Sequence, residues 1–362
     1  MKILIVSSTD TSFNSIRPEG EIFIGMAKRG HKVTIVTQGD TQYAQRYRDN
    51  NIKVIDHHPT KKISLKSIGI IRKELLSDNY DIVYATNSKA IPNAAFACIG
   101  LNVKFITYRG TTGGLYRHDP SAYLTHLHPR VDGIVCVAEA VREDMVRRVW
   151  KNRENVVTIH KGHDLSWYNK APADLSEFGI TSNDFTVICA VNARPSKGIT
   201  VMLDAANYLA DLNNLHILLV GKNMDCEPYT TMIANSSMRE RIHLAGFRHD
   251  APELIVASNL LVQPSISGEG LPRAVMEAMG YSTPPIITTT GGGKEVVEDG
   301  VTGFIVPIKD PRAIADRIRL LHQQPELLSE MAKNCRQKLA TDLSSQRSID
   351  KYLDYFESLL QS

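Results

Sequence analysis

Two cations and two carboxylates stand out by type and spacing. Arg194 and Lys197 flank Pro195 and Ser196 and precede Gly198, directly after the apolar run FTVICAVNA. Two such side chains within one turn at a strand end can clamp a diphosphate through charge-assisted hydrogen bonds; ordinary surface charge is the competing reading. Glu269 and Glu277 lie eight positions apart in SGEGLPRAVMEAMGYS. Pro272 suits the first helical position, Gly270 lets backbone come close to a ligand, and the first N–H groups of a helix starting there have no intrahelical partner. At 1.5 Å per residue the two carboxylates are separated by about 12 Å or less along the axis, the span of a nucleoside diphosphate sugar from ribose to hexose. The alternative is a solvated helix face over a core of Val275, Met276 and Met279. Gly291, Gly292 and Gly293 follow PPIITTT and open a further helix, which would present N–H groups and a positive dipole end to an anion, or serve as a plain flexible turn.

These residues need a scaffold that presents loops at strand ends. Runs at 3–7, 33–37, 82–86, 104–108 and 133–137 are rich in Ile and Val and continuous rather than alternating, as in parallel strands covered by helices on both faces. The stretch GEIFIGMAKRG predicts a helix with Gly30 at its C-cap, leading into the strand KVTIVT. NKAPADLSEFGITSND is expected to be an interdomain linker. Beyond it the pattern restarts: FTVICAVNA, LHILLVG, RIHLAG, LLVQPS, PPIITTT and GFIVPI alternate with helical segments, and DLSSQRSIDKYLDYFESLL closes as an amphipathic helix. The fold class is α/β, with two doubly wound domains at 1–165 and 166–340 and a terminal helix at 341–362 that is expected to pack back toward the first domain. A chain of 362 residues fits two domains. In such sheets ligands sit outside the carboxyl ends of strands. The loop after the first strand, SSTDTSFNSIRPEG, lacks G-x-G-x-x-G, which argues against a nicotinamide or flavin enzyme.

Composition bounds the setting. With 43% hydrophobic and 22% charged residues and no apolar run of membrane-spanning length, a bilayer crossing is excluded. MKILIV is too short for a signal h-region, and the five cysteines are scattered without C-x-x-C, so a reducing cytoplasm is expected and neither disulfides nor zinc. Residues 1–165 hold 24 Lys and Arg against 16 Asp and Glu, whereas 166–362 hold 18 against 23. The basic half suits an acidic partner such as an anionic glycan, lipid or nucleic acid, or is solvated surface. KKISLKSIGIIRKELL, with Lys61, Lys62, Lys66, Arg72 and Lys73 beside an apolar stripe, would rest on an anionic membrane face or else cover its own sheet.

The combination resembles the retaining glycosyltransferases of family 4, which have the GT-B fold. Glu269-GLPRAVM-Glu277 has the form of the family's E-x7-E signature, and the resemblance extends through GGGKEVVEDGVTGFIVPIKDP. Similar blocks occur at RGHKVTIVT, VAEAVREDMV, IHKGHD, NARPSKG, LLVGKN and IHLAGFRHD. The resemblance implies two Rossmann-like domains facing a cleft and hexosyl transfer from a nucleoside diphosphate sugar, UDP- or GDP-linked, to a glycan or lipid-linked acceptor. Bacterial surface polysaccharide or lipopolysaccharide assembly, at or near the inner face of the cytoplasmic membrane, is the implied setting, with no nucleic acid as partner. It also implies that Arg194 and Lys197 bind the diphosphate and Glu277 the ribose. Glu269 and the backbone of Gly270, Leu271 and Pro272 would hold the transferred sugar and distal phosphate, and the base would lie against Gly246, Phe247 and Arg248. No cofactor and no metal are expected: no Asp-x-Asp occurs, and cations and a helix dipole take the metal's place. The family's glycine pair in the first loop is replaced by Phe13, Asn14, Arg17, Pro18 and Glu19 before Gly20, leaving Asn14 as the donor contact there. Arg109 stands where many members have a histidine, and His118 is the nearest histidine in sequence. An arginine cannot accept a proton, so Arg109 would act electrostatically or by recognising an acidic sugar or acceptor. His118 is a second catalytic candidate or a surface histidine. The rival functions are a GT-B epimerase or phosphorylase, and an inactive nucleotide- or glycan-binding module.

Overall fold

The computed structural model describes residues 1–361. The chain divides into two compact units, Met1–Gly162 together with the segment from Ser344 onward, and His163–Leu343.

The first unit runs β1 (Lys2–Val6), α1 (Phe13–Lys28), β2 (Lys32–Thr37), α2 (Gln42–Asp49), β3 (Lys53–Asp56), α3 (Leu65–Ser77), β4 (Ile82–Ala85), α4 (Ala90–Ala97), β5 (Lys104–Arg109), β6 (Gly133–Cys136), α5 (Glu139–Arg148) and β7 (Val156–Thr158). The strands form one parallel sheet in the order β3-β2-β1-β4-β5-β6-β7. Ile3 to Val6 and Ile82 to Ala85 are almost wholly buried, which is why these strands read as unbroken apolar runs. The last helix of the chain, Ser345–Gln361, belongs to this unit and packs along α1. Its Tyr352 hydroxyl lies 3.0 Å from that of Tyr84 on β4, and Phe356 is fully buried beside them. Burying a side chain of that size contributes about 1.5–3 kcal/mol. A side chain at Gly25 would meet Ile349, so the glycine in α1 is what lets the two helices approach.

The second unit runs β8 (Phe185–Ala190), α6 (Ile199–Ala206), β9 (Leu215–Val220), α7 (Tyr229–Ala234), β10 (Ile242–Gly246), α8 (Ala251–Val256), β11 (Leu260–Gln263), α9 (Arg273–Gly280), β12 (Pro285–Thr288), α10 (Gly293–Val296), β13 (Phe304–Val306), α11 (Pro311–Gln323) and α12 (Pro325–Thr341). Its parallel sheet has the order β10-β9-β8-β11-β12-β13.

Three expectations need correcting. The loop after β1 is shorter than the sequence implies, because α1 begins at Phe13 and takes in Asn14, Arg17, Pro18 and Glu19. Pro18 lacks the N–H that would bond the Asn14 carbonyl, but Asn14 is exposed, so water can satisfy that carbonyl. The same helix ends with Arg29 as its C-cap, and Gly30, at φ 85°, follows it. Residues 169–184 are not a free linker: Leu175 and Ile180 are buried in a cluster with Leu254, Val275 and Met279, and the Ala173 N–H bonds the Glu253 carbonyl at 3.0 Å.

Candidate active site

In the second unit the chain builds outward from β8 through β9 to β10, then returns to β8's other side and builds outward again from β11. The reversal leaves a crevice at the carboxyl ends of β8 and β11, the position where open α/β sheets bind ligands. The loops there are 191–198 and 264–272, and they carry three of the four charged candidates.

Each loop is fixed to the other. The Ser196 carbonyl accepts from the Ile266 N–H at 2.8 Å. Gly198 has φ 66°, and a Cβ there would stand 2.0 Å from the Pro264 carbonyl oxygen, so only glycine permits this approach. Lys197 then reaches across: its Nζ lies 2.5 Å from Glu269 Oε1. The Ser265 hydroxyl donates to the same oxygen at 2.6 Å. Glu269 is 7% exposed, so its charge is held by two donors rather than by bulk water. A third loop closes the arrangement. Thr288 Oγ1 donates to the Ser265 carbonyl at 2.5 Å, the Gly292 N–H donates to the Gly270 carbonyl at 3.0 Å, and a Cβ at Gly291 would stand 1.9 Å from the Glu269 carbonyl. The glycine run therefore packs against the Glu269 segment, and the helix it opens is a single turn.

Arg194 is exposed at the head of this loop, and its side chain meets no partner among the described residues. Pro272 is the N-cap of α9, not its first residue. At ψ 103° it is still extended, while its carbonyl accepts the first helical bond, from Met276. Gly270 is buried and Leu271 half-buried. Glu277 lies on α9 between the buried Met276 and Ala278 and is 3.5 Å from Arg273. Burial pushes its carboxyl above the ordinary glutamate value, and Arg273 partly offsets the rise.

At the carboxyl end of β10, Gly246 has φ 66° and accepts from the Gly221 N–H at 2.7 Å. Phe247 is 54% exposed with the Lys222 ammonium 4.8 Å from its ring centroid. Arg248 is engaged by Asp250 at 2.7 Å and by Glu177, from the segment before β8, at 2.9 Å, so its charge is already matched.

The first unit holds the remaining candidates. Asn14 is exposed in the first turn of α1. Arg109 ends β5 and lines a cavity of about 290 Å³ together with Asn87 and His126. His118 does not line it; it is exposed and stacked on Tyr116 at 5.3 Å. The histidine brought beside Arg109 is His126, buried, 3.0 Å from Thr107 Oγ1, and pushed down to about 3 by burial and then by Arg109. Sequence carried no signal for it beyond its residue type, nor for Ser265. A second buried group, also unread, joins Glu19 to Lys161 and to Ser7 at 2.7 Å, with Lys161 over the Tyr108 ring. Lys161 and its hydrogen bonds hold the Glu19 carboxyl below the usual value against the opposing effect of burial. Among the described residues no group of three or more His, Cys, Asp or Glu is placed to hold a metal ion.

Residues 172–338 match the family described as Glycosyl transferases group 1, and residues 21–167 match Glycosyltransferase Family 4. The chain belongs to the family 4 glycosyltransferases. This glycosyltransferase is 24% identical over 311 residues to the Escherichia coli UDP-Gal:alpha-D-GlcNAc-diphosphoundecaprenol alpha-1,3-galactosyltransferase, covering 81% of this chain and 79% of that one. It is likewise 24% identical over 358 residues to the Bacillus anthracis N-acetyl-alpha-D-glucosaminyl L-malate synthase, covering 93% and 91%. Its fold is GT-B. A Rickettsia africae glycosyltransferase superposes with a TM-score of 0.81 at 19% identity over 100% of this chain and 99% of that one. Anabaena HepE in complex with UDP does so with 0.80, also at 19%, over 99% and 100%.

Proposed function

We propose that this glycosyltransferase moves a hexosyl-type sugar, with retention of configuration, from a UDP- or GDP-sugar to a glycan or lipid-linked acceptor in bacterial surface polysaccharide or lipopolysaccharide assembly. The observation that carries the reading is the Lys197–Glu269–Ser265 group at the β8/β11 reversal, with the exposed Arg194 in the same loop. The names of similar proteins agree with it: HepE is known with UDP and with UDP-glucose, and the E. coli relative is named for a UDP-galactose reaction.

In this reading Arg194 and Lys197 neutralise the charge that develops on the leaving diphosphate. Glu269, held by Lys197 and Ser265, presents its segment to the transferred sugar. Glu277 accepts from ribose hydroxyls and Phe247 offers a ring face to the base. No carboxylate is needed as nucleophile, since the departing phosphate oxygen takes the acceptor proton on the face it leaves. The residues do this without a metal. A thermal-shift panel of UDP, GDP, ADP and dTDP sugars tests the donor class, because a donor that binds the folded chain stabilises it by RT ln(1 + L/Kd), where L is the free donor concentration. Incubating the stabilising sugar alone and analysing the product distinguishes transfer from epimerisation, and the absence of any shift or turnover would favour an inactive module.

A peripheral membrane contact is part of the same proposal. Leu65 is 85% exposed and Ile63 45%, beside the exposed Lys61, Lys62 and Lys66. Arg72 does not contribute, because it caps α4 by donating to the carbonyls of Ala97 and Ile99. Sedimentation with anionic liposomes that is lost in high salt would support the contact.

A further inference from the structure

The cavity at the carboxyl ends of β4 and β5 holds a charge that no carboxylate among the described residues contacts, although Asp144 acts on it through space. Arg109 is half-buried in its wall. Its Nε donates to the Thr111 carbonyl at 2.9 Å and its Nη2 to the Gly113 carbonyl, while Nη1 bonds none of the described residues. The acceptors are both neutral. Arg130 and Arg148 of the same unit meet carboxylates, Asp132 at 2.5 Å and Asp144 at 2.7 Å, whereas Arg72, like Arg109, donates to carbonyls. What sets Arg109 apart from Arg72 is its place in the wall of a polar cavity.

The surroundings keep that charge fixed and accessible. The Gly113 N–H is anchored to Asp144 Oδ2 at 2.9 Å, and Asp144 is held by Arg148, so the loop that grips Arg109 is itself tied down. Lys62 also lines the cavity, and its charge acts on that of Asp119. Among the lining residues Asp119 is the one carboxylate, and it is occupied by the N–H and hydroxyl of Ser121, both at 2.8 Å. His126 is bonded to Thr107, and the rest of the polar wall is Thr, Ser, Asn and Tyr108. A planar fork with one edge open, in a polar recess of this size, matches a phosphate or carboxylate bidentately.

We propose that this cavity binds the anionic group, phosphate or carboxylate, of the acceptor, and that Arg109 reads it. Calling the ligand the acceptor rests on the transferase reading above; the anion site itself does not.

The test uses the intact chain and three probes: glucose 1-phosphate, glucuronate and uncharged methyl glucoside, with affinities measured calorimetrically and UDP binding measured in parallel. At least one charged probe is expected to bind, and which one does identifies the group. Methyl glucoside is expected to bind far more weakly. Arg109→Gln is expected to weaken the charged probe about tenfold or more, the loss of a charge-assisted hydrogen bond. Ser88→Asp changes an exposed residue of the cavity wall, so it places a negative charge there without disturbing the core. It is expected to weaken the charged probe while UDP binding stays at its wild-type level, and it decides the matter should Arg109→Gln not fold. The proposal is overturned if methyl glucoside binds as well as the charged probes, if both variants bind them as wild type does, if UDP displaces them, or if none binds. Loss of UDP binding by the wild-type chain would count against the transferase reading and leave the anion site standing.

Discussion

Removing Lys197 should damage stability and turnover by separable amounts. Lys197→Met leaves Glu269 buried with Ser265 as its remaining donor. Breaking a buried pair from one side costs about 3–5 kcal/mol. Here the Lys197 side chain is 25% exposed, so water reaches the gap and the cost falls to about 2–3 kcal/mol. For a unit of this length that lowers the melting temperature by roughly 4–12 °C. Glu269→Gln keeps an acceptor for Ser265 and should cost about 1–2 kcal/mol. Because the two side chains touch, the double variant should be more stable than the sum of the singles by about 1–2 kcal/mol. Turnover should not recover with it: loss of the cation facing the leaving group is expected to lower kcat by about 10²–10³ in both Lys197 variants. Urea unfolding of all four chains, with sugar transfer measured on the same preparations, gives both numbers. Strict additivity would refute the ion pair as an energetic unit. Wild-type turnover in Lys197→Met would refute the diphosphate assignment.

Arg194→Ala, at an exposed position with no partner to lose, should leave the melting temperature within experimental scatter and weaken UDP binding about tenfold or more; unchanged affinity would remove Arg194 from the site. Gly198→Ala places a methyl 2.0 Å from the Pro264 carbonyl at a φ of 66° and should destabilise by more than about 2 kcal/mol while abolishing UDP binding, checked by denaturation and calorimetry. Glu277 gives a pH signature. The folded chain keeps its Glu277 proton to higher pH than the unfolded chain, so between the two titrations the folded state binds more protons and this residue's contribution to stability falls as pH rises through the raised value. Glu277→Gln should flatten that decline and be more stable than wild type at neutral pH, yet bind UDP about tenfold or more weakly; an unaltered pH profile of the melting temperature would contradict the burial argument.

How far the sequence carries can be judged from particular residues. The runs that become β1, β4, β8 and β9 were legible because strands buried on both faces leave no polar alternation to confuse with a helix. β3 and β7 are the edge strands of their sheet and only partly buried, so they lack that signal. Pro18 hid the first two turns of α1, since the cost of its missing hydrogen bond depends on whether the Asn14 carbonyl is wet, and exposure is not a local property of sequence. The same limit governs the site. Glu269 and Glu277 were visible as a spacing, and Arg194 and Lys197 as a charge pair, but the bond between Lys197 and Glu269 spans 72 positions.

That bond exists because β11 joins the sheet beside β8 instead of beyond β10, which brings the two strand-end loops together. The order of strands is decided by packing of whole helices, so no window of sequence contains it. Arg109 shows the complementary case. Its position at a strand end was readable, whereas the absence of a carboxylate on it became a fact only when the loop 110–114 was seen to offer carbonyls alone and Asp144 was seen to be held by Arg148. Charged residues at the ends of parallel strands are thus predictable as candidates from periodicity. Whether such a residue is already neutralised, like Arg248, or waits for a ligand, like Arg109, is settled by partners that come from elsewhere in the chain.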